Sequence, residues 1–296
     1  MIDLISRANN ENPLAQFDNN FGYYPAKAPS ILFAILFGFQ SIAIIYNHIR
    51  YRVWWPLFLT IGIAFETLGY ATRSWLTWNP NTGGSGVGDS MYKCEYACLL
   101  IGPIFHAAFV YTVFGRLSRE TPRNFTLIKP KLVAPCFFAS DIISFLIQVA
   151  GAGVLLSASS SSAINTGNAI IQAGLAINLA SFVLFLIFCS YFTYCIRKFV
   201  KSKAYPWAQY CTSLLWLSAF AILVRQVYRV IEFADGFYGS IAIHEVYFYV
   251  FDAVPIFVAG LVWCVFFPER FIYPGFYVAT TSVGNETEES KQLNQV

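Results

Sequence analysis

Glu66, Tyr70 and Arg73 follow one another at intervals of four and three residues inside a long apolar run, which stacks a carboxylate, a phenol and a guanidinium on one helix face. Three further runs repeat the device. Asp141, Ser144 and Gln148 make one stripe, Arg225, Arg229 and Glu232 a second, and Glu245 with Asp252 a third; Glu95 and His106 share another run. An ionised side chain at the centre of a bilayer costs ~3 kcal/mol on insertion scales, so these groups are expected to face one another or a wet cavity. Their chemistry is recognition by charge rather than bond-making: carboxylates hold an amine, and guanidiniums hold a phosphate or a carboxylate. Interhelical glue is the plainer account, although far fewer charges would do for that.

The elements that must carry these stripes are seven apolar runs, at 29–47, 53–76, 92–116, 132–156, 169–196, 207–231 and 244–267. Hydrophobic residues make up 57% of the chain and charged residues 12%, where a soluble domain holds about 25% charged. A bilayer core takes ~20 apolar residues per helix, and a spanning backbone must bond to itself. The expected fold is all-α, a polytopic bundle of seven transmembrane helices. Arg50 and Arg52, then Arg116 to Lys131, then Arg197 to Lys203 load alternate connections, while 77–91, 157–168 and 232–244 hold no Lys or Arg. Basic connections stay in the cytoplasm, so the N-terminus is expected outside and the C-terminus in the cytoplasm. The net charge of +3 therefore carries no nucleic-acid signal. Residues 1–28 read as an extracellular tail, 29–268 as the membrane domain, and 269–296 as a cytoplasmic tail that is disordered at its end.

Counted from each helix's cytoplasmic end at ~1.5 Å per residue, His106 and Asp141 lie at about 15 Å. Glu66, Gln148, Asp252 and Arg225 lie at about 21–27 Å, and Arg73, Glu95 and Arg229 at about 31–33 Å. Glu232 and Glu245 reach the outer surface. The expectation is a funnel open to the outside, with carboxylates on its floor, arginines near its mouth, and an amphiphilic lipid or small molecule as its occupant. The rival classes lack their residues. His48, His106 and His244 sit at three depths, which excludes a three-histidine zinc site. The last run has no lysine for retinal, and no Gly-x-x-x-x-Gly-Lys loop is present for ATP. The outer connections hold no cysteine, so no disulfide joins them, and Cys94 and Cys98 read as packing residues. No enzyme, metal or cofactor is expected. Uphill export would need protons, with Glu66, Asp141 or Asp252 as carriers, or a protein partner that the residues do not identify.

Ordered fragments along 20–270 carry a family signal. They are Phe21-Gly22-Tyr23 with Tyr24-Pro25, Glu66-x-x-Gly69-Tyr70-x-x-Arg73, Gly102-Pro103 through Gly115-Arg116, Asp141-x-x-Ser144-x-x-x-Gln148-x-x-Gly151-x-Gly153, Arg225-x-x-Tyr228-Arg229-x-x-Glu232, and Glu245 through Asp252 and Pro255. In these the chain resembles the fungal lipid-translocating exporter family, the RTA-like seven-helix membrane proteins. The resemblance implies a multi-pass plasma-membrane protein that exports sphingoid long-chain bases or related toxic amphiphiles, affecting lipid asymmetry and stress resistance. One branch of the family implies a porphyrin or haem transporter instead, for which His106 would be the candidate haem ligand. A lipid sensor that moves nothing is the third reading. The translocation residues so implied are Glu66, Tyr70, Arg73, Asp141, Gln148, Arg225, Arg229, Glu232, Glu245 and Asp252.

The charge alternation yields a direct test. A reporter fused after Val296 should be cytoplasmic, a tag before Met1 should be reachable on intact cells, and the sequons at Asn124 and Asn285 should stay unglycosylated. Glycan on Asn124 would reverse the orientation.

Overall fold

Without water to bond to, a backbone in lipid closes its own hydrogen bonds, and the apolar runs do so as helices. The computed structural model describes residues 26–79, 86–119, 129–156, 160–199, 206–234 and 244–268; the outer parts of both tails and both sequons lie outside these. The elements are α1 (Lys27–Tyr51), α2 (Leu57–Trp78), α3 (Gly86–Leu117), α4 (Pro130–Leu156), α5 (Ser161–Phe199), α6 (Pro206–Ala234) and α7 (Glu245–Val265). No strand occurs among the described residues. Six of the helices are long and apolar enough to cross a membrane, namely α1 and α3 to α7. Helix α2 has 22 residues, but Glu66, Arg73 and a series of hydroxyls lower its average apolarity. The chain is a multi-pass membrane protein.

Two helix starts lie six or more residues ahead of the sequence reading. Helix α5 begins at Ser161, inside the stretch expected to be a connection, because Ser160 caps it: its side chain accepts the Ala163 N–H at 3.3 Å and its carbonyl accepts those of Ala163 and Ile164. Helix α3 likewise starts at Gly86, six residues ahead of the apolar run. At ~1.5 Å per residue, the 39 residues of α5 extend about 58 Å, beyond a hydrocarbon core of ~30 Å.

Successive helices pack side by side, α1 also meets α7, and α3 runs through the middle against α2, α4, α6 and α7. Burial follows that placement: 72% of the apolar window of α3 is buried, against 28% in α1, α4 and α5. Leu32, Phe39, Ile143, Leu146, Ile187 and Phe220 turn outward, as a lipid-facing surface requires. In lipid the helices associate by close packing rather than by escape from water, and glycines set the distance. A side chain at Gly62 would come within 2.9 Å of the Gly102 carbonyl, so α2 and α3 touch backbone to backbone. One at Gly151 would lie 2.9 Å from the Ile171 nitrogen and 3.0 Å from the Gly167 carbonyl.

These crossings give a paired prediction. Gly151→Ala should destabilise the purified protein by about 1–3 kcal/mol, because neither backbone can yield. Gly153→Ala, two residues along with nothing within 4 Å, should be neutral or stabilising by up to ~1 kcal/mol. Thermal unfolding of both in detergent checks the pair, and equal melting of the two would contradict the crossing.

Candidate functional site

Helix α7 is not uniform. Glu245–Phe248 is α-helical, Tyr249–Ala253 forms a π turn, and Val254–Val265 is α-helical again. Pro255 explains the change. It has no N–H to donate back to the preceding turn, and the helix accommodates the gap with a wider turn. That turn presents Asp252 and Tyr249 to the neighbouring helices.

Asp252 is the centre of the site. Arg229 grips it with two bonds, Nε to Oδ1 at 2.8 Å and Nη2 to Oδ2 at 3.0 Å. Arg225 Nε lies 2.9 Å from Oδ1, a close ion pair but out of line for a hydrogen bond, while its Nη2 donates to the Leu99 carbonyl of α3 at 2.6 Å. Arg229 also reaches Glu232 at 3.1 Å, and the Tyr228 hydroxyl donates to the same carboxylate. Beside this lies a second knot. Arg73 of α2 pairs with Glu95 of α3 at 2.7 Å and Glu245 of α7 at 3.0 Å, and donates Nε to the Tyr249 hydroxyl at 3.1 Å. The Phe248 ring joins the two knots, with the Arg73 and Arg229 guanidiniums 4.6 Å and 5.6 Å from its centre. The Ala26 N–H donates to Glu245 at 2.7 Å and ties the start of α1 to the same point.

The structure thus brings Arg73, Arg225, Arg229, Glu232, Glu245 and Asp252 together. Tyr70 stands beside them, stacked on Phe37 at 5.3 Å, in an aromatic column that continues through Phe33 and Tyr249. Three points go beyond the bare spacing. Arg73, which shares a helix face with Glu66, pairs with Glu95 and Glu245 on other helices, whose carboxylates meet its long side chain directly. The mouth of the funnel is closed: Arg73 is 4% exposed and Arg229 8%, because Glu95 and Glu245 neutralise the first and Glu232 and Asp252 the second, Asp252 alone coming from the expected floor. Asp141 and Gln148 lie apart, on α4. Asp141 faces the Tyr111 hydroxyl with no cation on it among the described residues, and Gln148 packs against Gly174 of α5.

Glu66 and His106 also stand outside the ion pairs, each completely buried. His106 does not fit the role of haem ligand. A side chain at Gly260 would already lie 3.2 Å from Nε2 and 2.6 Å from the Gln40 amide, so a porphyrin has no face there. The residues that sequence reasoning left out of the site are Glu95, Phe248 and Tyr249. Glu95 was within reach of it, as the carboxylate at the depth of Arg73; the other two depend on the π turn.

Removing one side of a buried ion pair strands the other at a cost of about 3–5 kcal/mol. Asp252→Ala and Arg229→Ala should each destabilise on that scale, and the double variant should cost less than their sum by ~0.5–3 kcal/mol. Unfolding in detergent measures the cycle; strict additivity would show that the contact is not energetically coupled.

Residues 59–274 match the family described as RTA1 like protein. The chain is 32% identical over 214 residues to Protein RTM1 of Saccharomyces cerevisiae, covering 71% of this chain and 65% of that one. It is 33% identical over 199 residues to Protoporphyrin uptake protein 1 of the same yeast, covering 66% and 62%. It is 24% identical over 292 residues to the yeast Sphingoid long-chain base transporter RSB1, covering 84% and 74%. The chain therefore spans just under two thirds of the length of the first two relatives. No solved structure matches. The match runs from the start of α2 past the end of α7 and takes in every ion pair of the site: this chain belongs to the RTA1-like family of membrane proteins.

Proposed function

We propose that this protein is a plasma-membrane translocator of amphiphilic lipids with a cationic headgroup, of the sphingoid long-chain base class, and that it crosses the membrane seven times with its N-terminus outside. The observation that carries the reading is a surplus of negative groups. Within the buried cluster and its neighbours, leaving aside the exposed Lys27 and Lys93, three arginines, Arg73, Arg225 and Arg229, stand with five carboxyl groups, Glu66, Glu95, Glu232, Glu245 and Asp252. An ammonium headgroup supplies the missing positive charge. It can take a carboxylate from Arg73 or Arg229 without stranding it, since each arginine holds more than one. The column of Phe33, Phe37, Tyr70 and Tyr249 offers the alkyl chain an apolar path beside the headgroup. Counting α2 as the seventh span follows from where its charges point: Glu66 and Arg73 are buried, while Leu68 and Trp75 face outward. The relative named as a sphingoid long-chain base transporter supports the same substrate.

One second reading has support of its own. The relative named for protoporphyrin uptake, with the arginines flanking Phe248, suits a flat ring that carries carboxylates.

Purified protein in liposomes separates the readings when labelled sphingoid base, phospholipid and porphyrin are offered side by side. Sphingoid base should cross fastest. Glu232→Gln and Glu245→Gln should each slow it about tenfold or more, the loss of a charge-assisted hydrogen bond of ~1.5–3 kcal/mol. Faster movement of porphyrin, slowed instead by Arg73→Gln, would favour the second reading. No movement of any of the three, with binding retained, would make the protein a sensor.

A further inference from the structure

Next to the outer ion pairs lies another group of buried polar side chains that those pairs do not use. His106 of α3, Glu66 of α2 and Gln40 of α1 are 1%, 2% and 3% exposed. The His106 Nδ1 lies 3.0 Å from the Gly102 carbonyl, which accepts from it, so Nε2 carries the free lone pair. Gln40 spends its amide N–H on the Phe257 carbonyl at 3.1 Å, leaving its oxygen. Thus His106 Nε2, Glu66 Oε1 and Gln40 Oε1 are three buried acceptors, and none has a donor among the described residues. Buried acceptors left unmade are costly, and what the trio lacks is hydrogen.

Close packing of glycines brings them together. A side chain at Gly62 would meet His106 Nδ1 at 2.7 Å, one at Gly102 would meet Glu66 Oε1 at 2.6 Å, and one at Gly260 would meet the Gln40 amide at 2.6 Å and His106 Nε2 at 3.2 Å. Glycines on α2, α3 and α7 thereby bring the imidazole, the carboxylate and the amide to one crossing, with Gly102 touching both Glu66 and His106. The charged groups that face Glu66 are Arg225 and Arg229 of α6 and Asp252 of α7; Arg225 also faces His106. From α1 the trio receives only the neutral Gln40.

We propose that this trio is a proton site: one exchangeable proton, shared between Glu66 and His106 through bound water that Gln40 orients. Resting on the lipid-translocation reading, that proton is the coupling ion, entering from the outer ion pairs and leaving toward the cytoplasm as lipid moves outward. Only O–H and N–H bonds change. The Glu66 carboxylate takes the proton, His106 Nε2 receives it through water, and water on the inner side takes it away.

The test uses the full chain in liposomes and reads two quantities. Infrared difference spectra between acidic and alkaline buffer, in H2O and D2O, should contain a carboxyl band that exchanges with deuterium. The band should vanish in Glu66→Gln and move in His106→Gln. With a gradient of one pH unit, acidic on the side from which protons enter, a sphingoid base should approach the tenfold distribution set by one proton per lipid at least ten times faster than in protein-free liposomes. Both variants should fall to the protein-free level while keeping normal elution and melting. Glu66→Asp keeps a carboxyl and should show a shifted band, which preserves the test where Glu66→Gln does not fold. A band indifferent to Glu66 and His106, or accumulation that survives both changes or follows sodium instead of protons, would overturn the site. A Glu66-dependent band in a protein that moves no sphingoid base would uphold the proton site and remove the lipid reading.

Discussion

The half of this bundle that holds the ion pairs depends on the neutralisation of Asp252. Its carboxylate is 2% exposed, and it has two guanidiniums on it, one of them bidentate. Neither sign of charge could be left alone at that depth, so α6 and α7 hold each other in register through the clamp. Arg225 extends the clamp to the backbone of α3 at Leu99. From there the remaining contacts follow: Arg229 spans to Glu232, and Phe248 links it to Arg73, which fastens α2 and α3 through Glu95. A buried ion pair adds little net stability over apolar packing, but it is strongly selective about partners.

Two backbone features make the clamp reachable. The π turn before Pro255 re-aims Asp252, Tyr249 and the residues preceding them, and such turns mark functional positions in many helices. The glycine contact of α2 with α3 draws the central helix close enough for Glu95 to meet Arg73. The same central helix holds His106 where α1, α2 and α7 converge. One buried helix thus serves both the ion pairs and the acceptor trio, which puts the proposed lipid site and the proposed proton site in mechanical contact.

Much of this could be read from the residues. Apolar length gave every helix, within a few residues except at the starts of α3 and α5, and the spacing along each helix identified most members of the cluster, because a charge inside a bundle has few places to point. Partner choice was not legible. Arg73 and Glu66 share a face, yet an arginine side chain is long enough to pass its own helix and pair with α3 and α7. The π turn could not be read from spacing either, since a single proline is compatible with a kink, a break or a wider turn. The start of α5 escaped because a run of serines resembles a connection until Ser160 is seen to cap it.

The central claim is that the carboxylate-rich cluster of Arg73, Arg225, Arg229, Glu232, Glu245 and Asp252 is where the lipid headgroup binds. Photolabelling with a sphingoid base that carries a diazirine next to its amine, followed by mapping of the modified peptides, tests it most directly. The account predicts adducts on the 245–252 and 225–232 segments that disappear with excess unlabelled base. Adducts confined to the outward faces of α1, α4 and α5, and indifferent to competition, would contradict it.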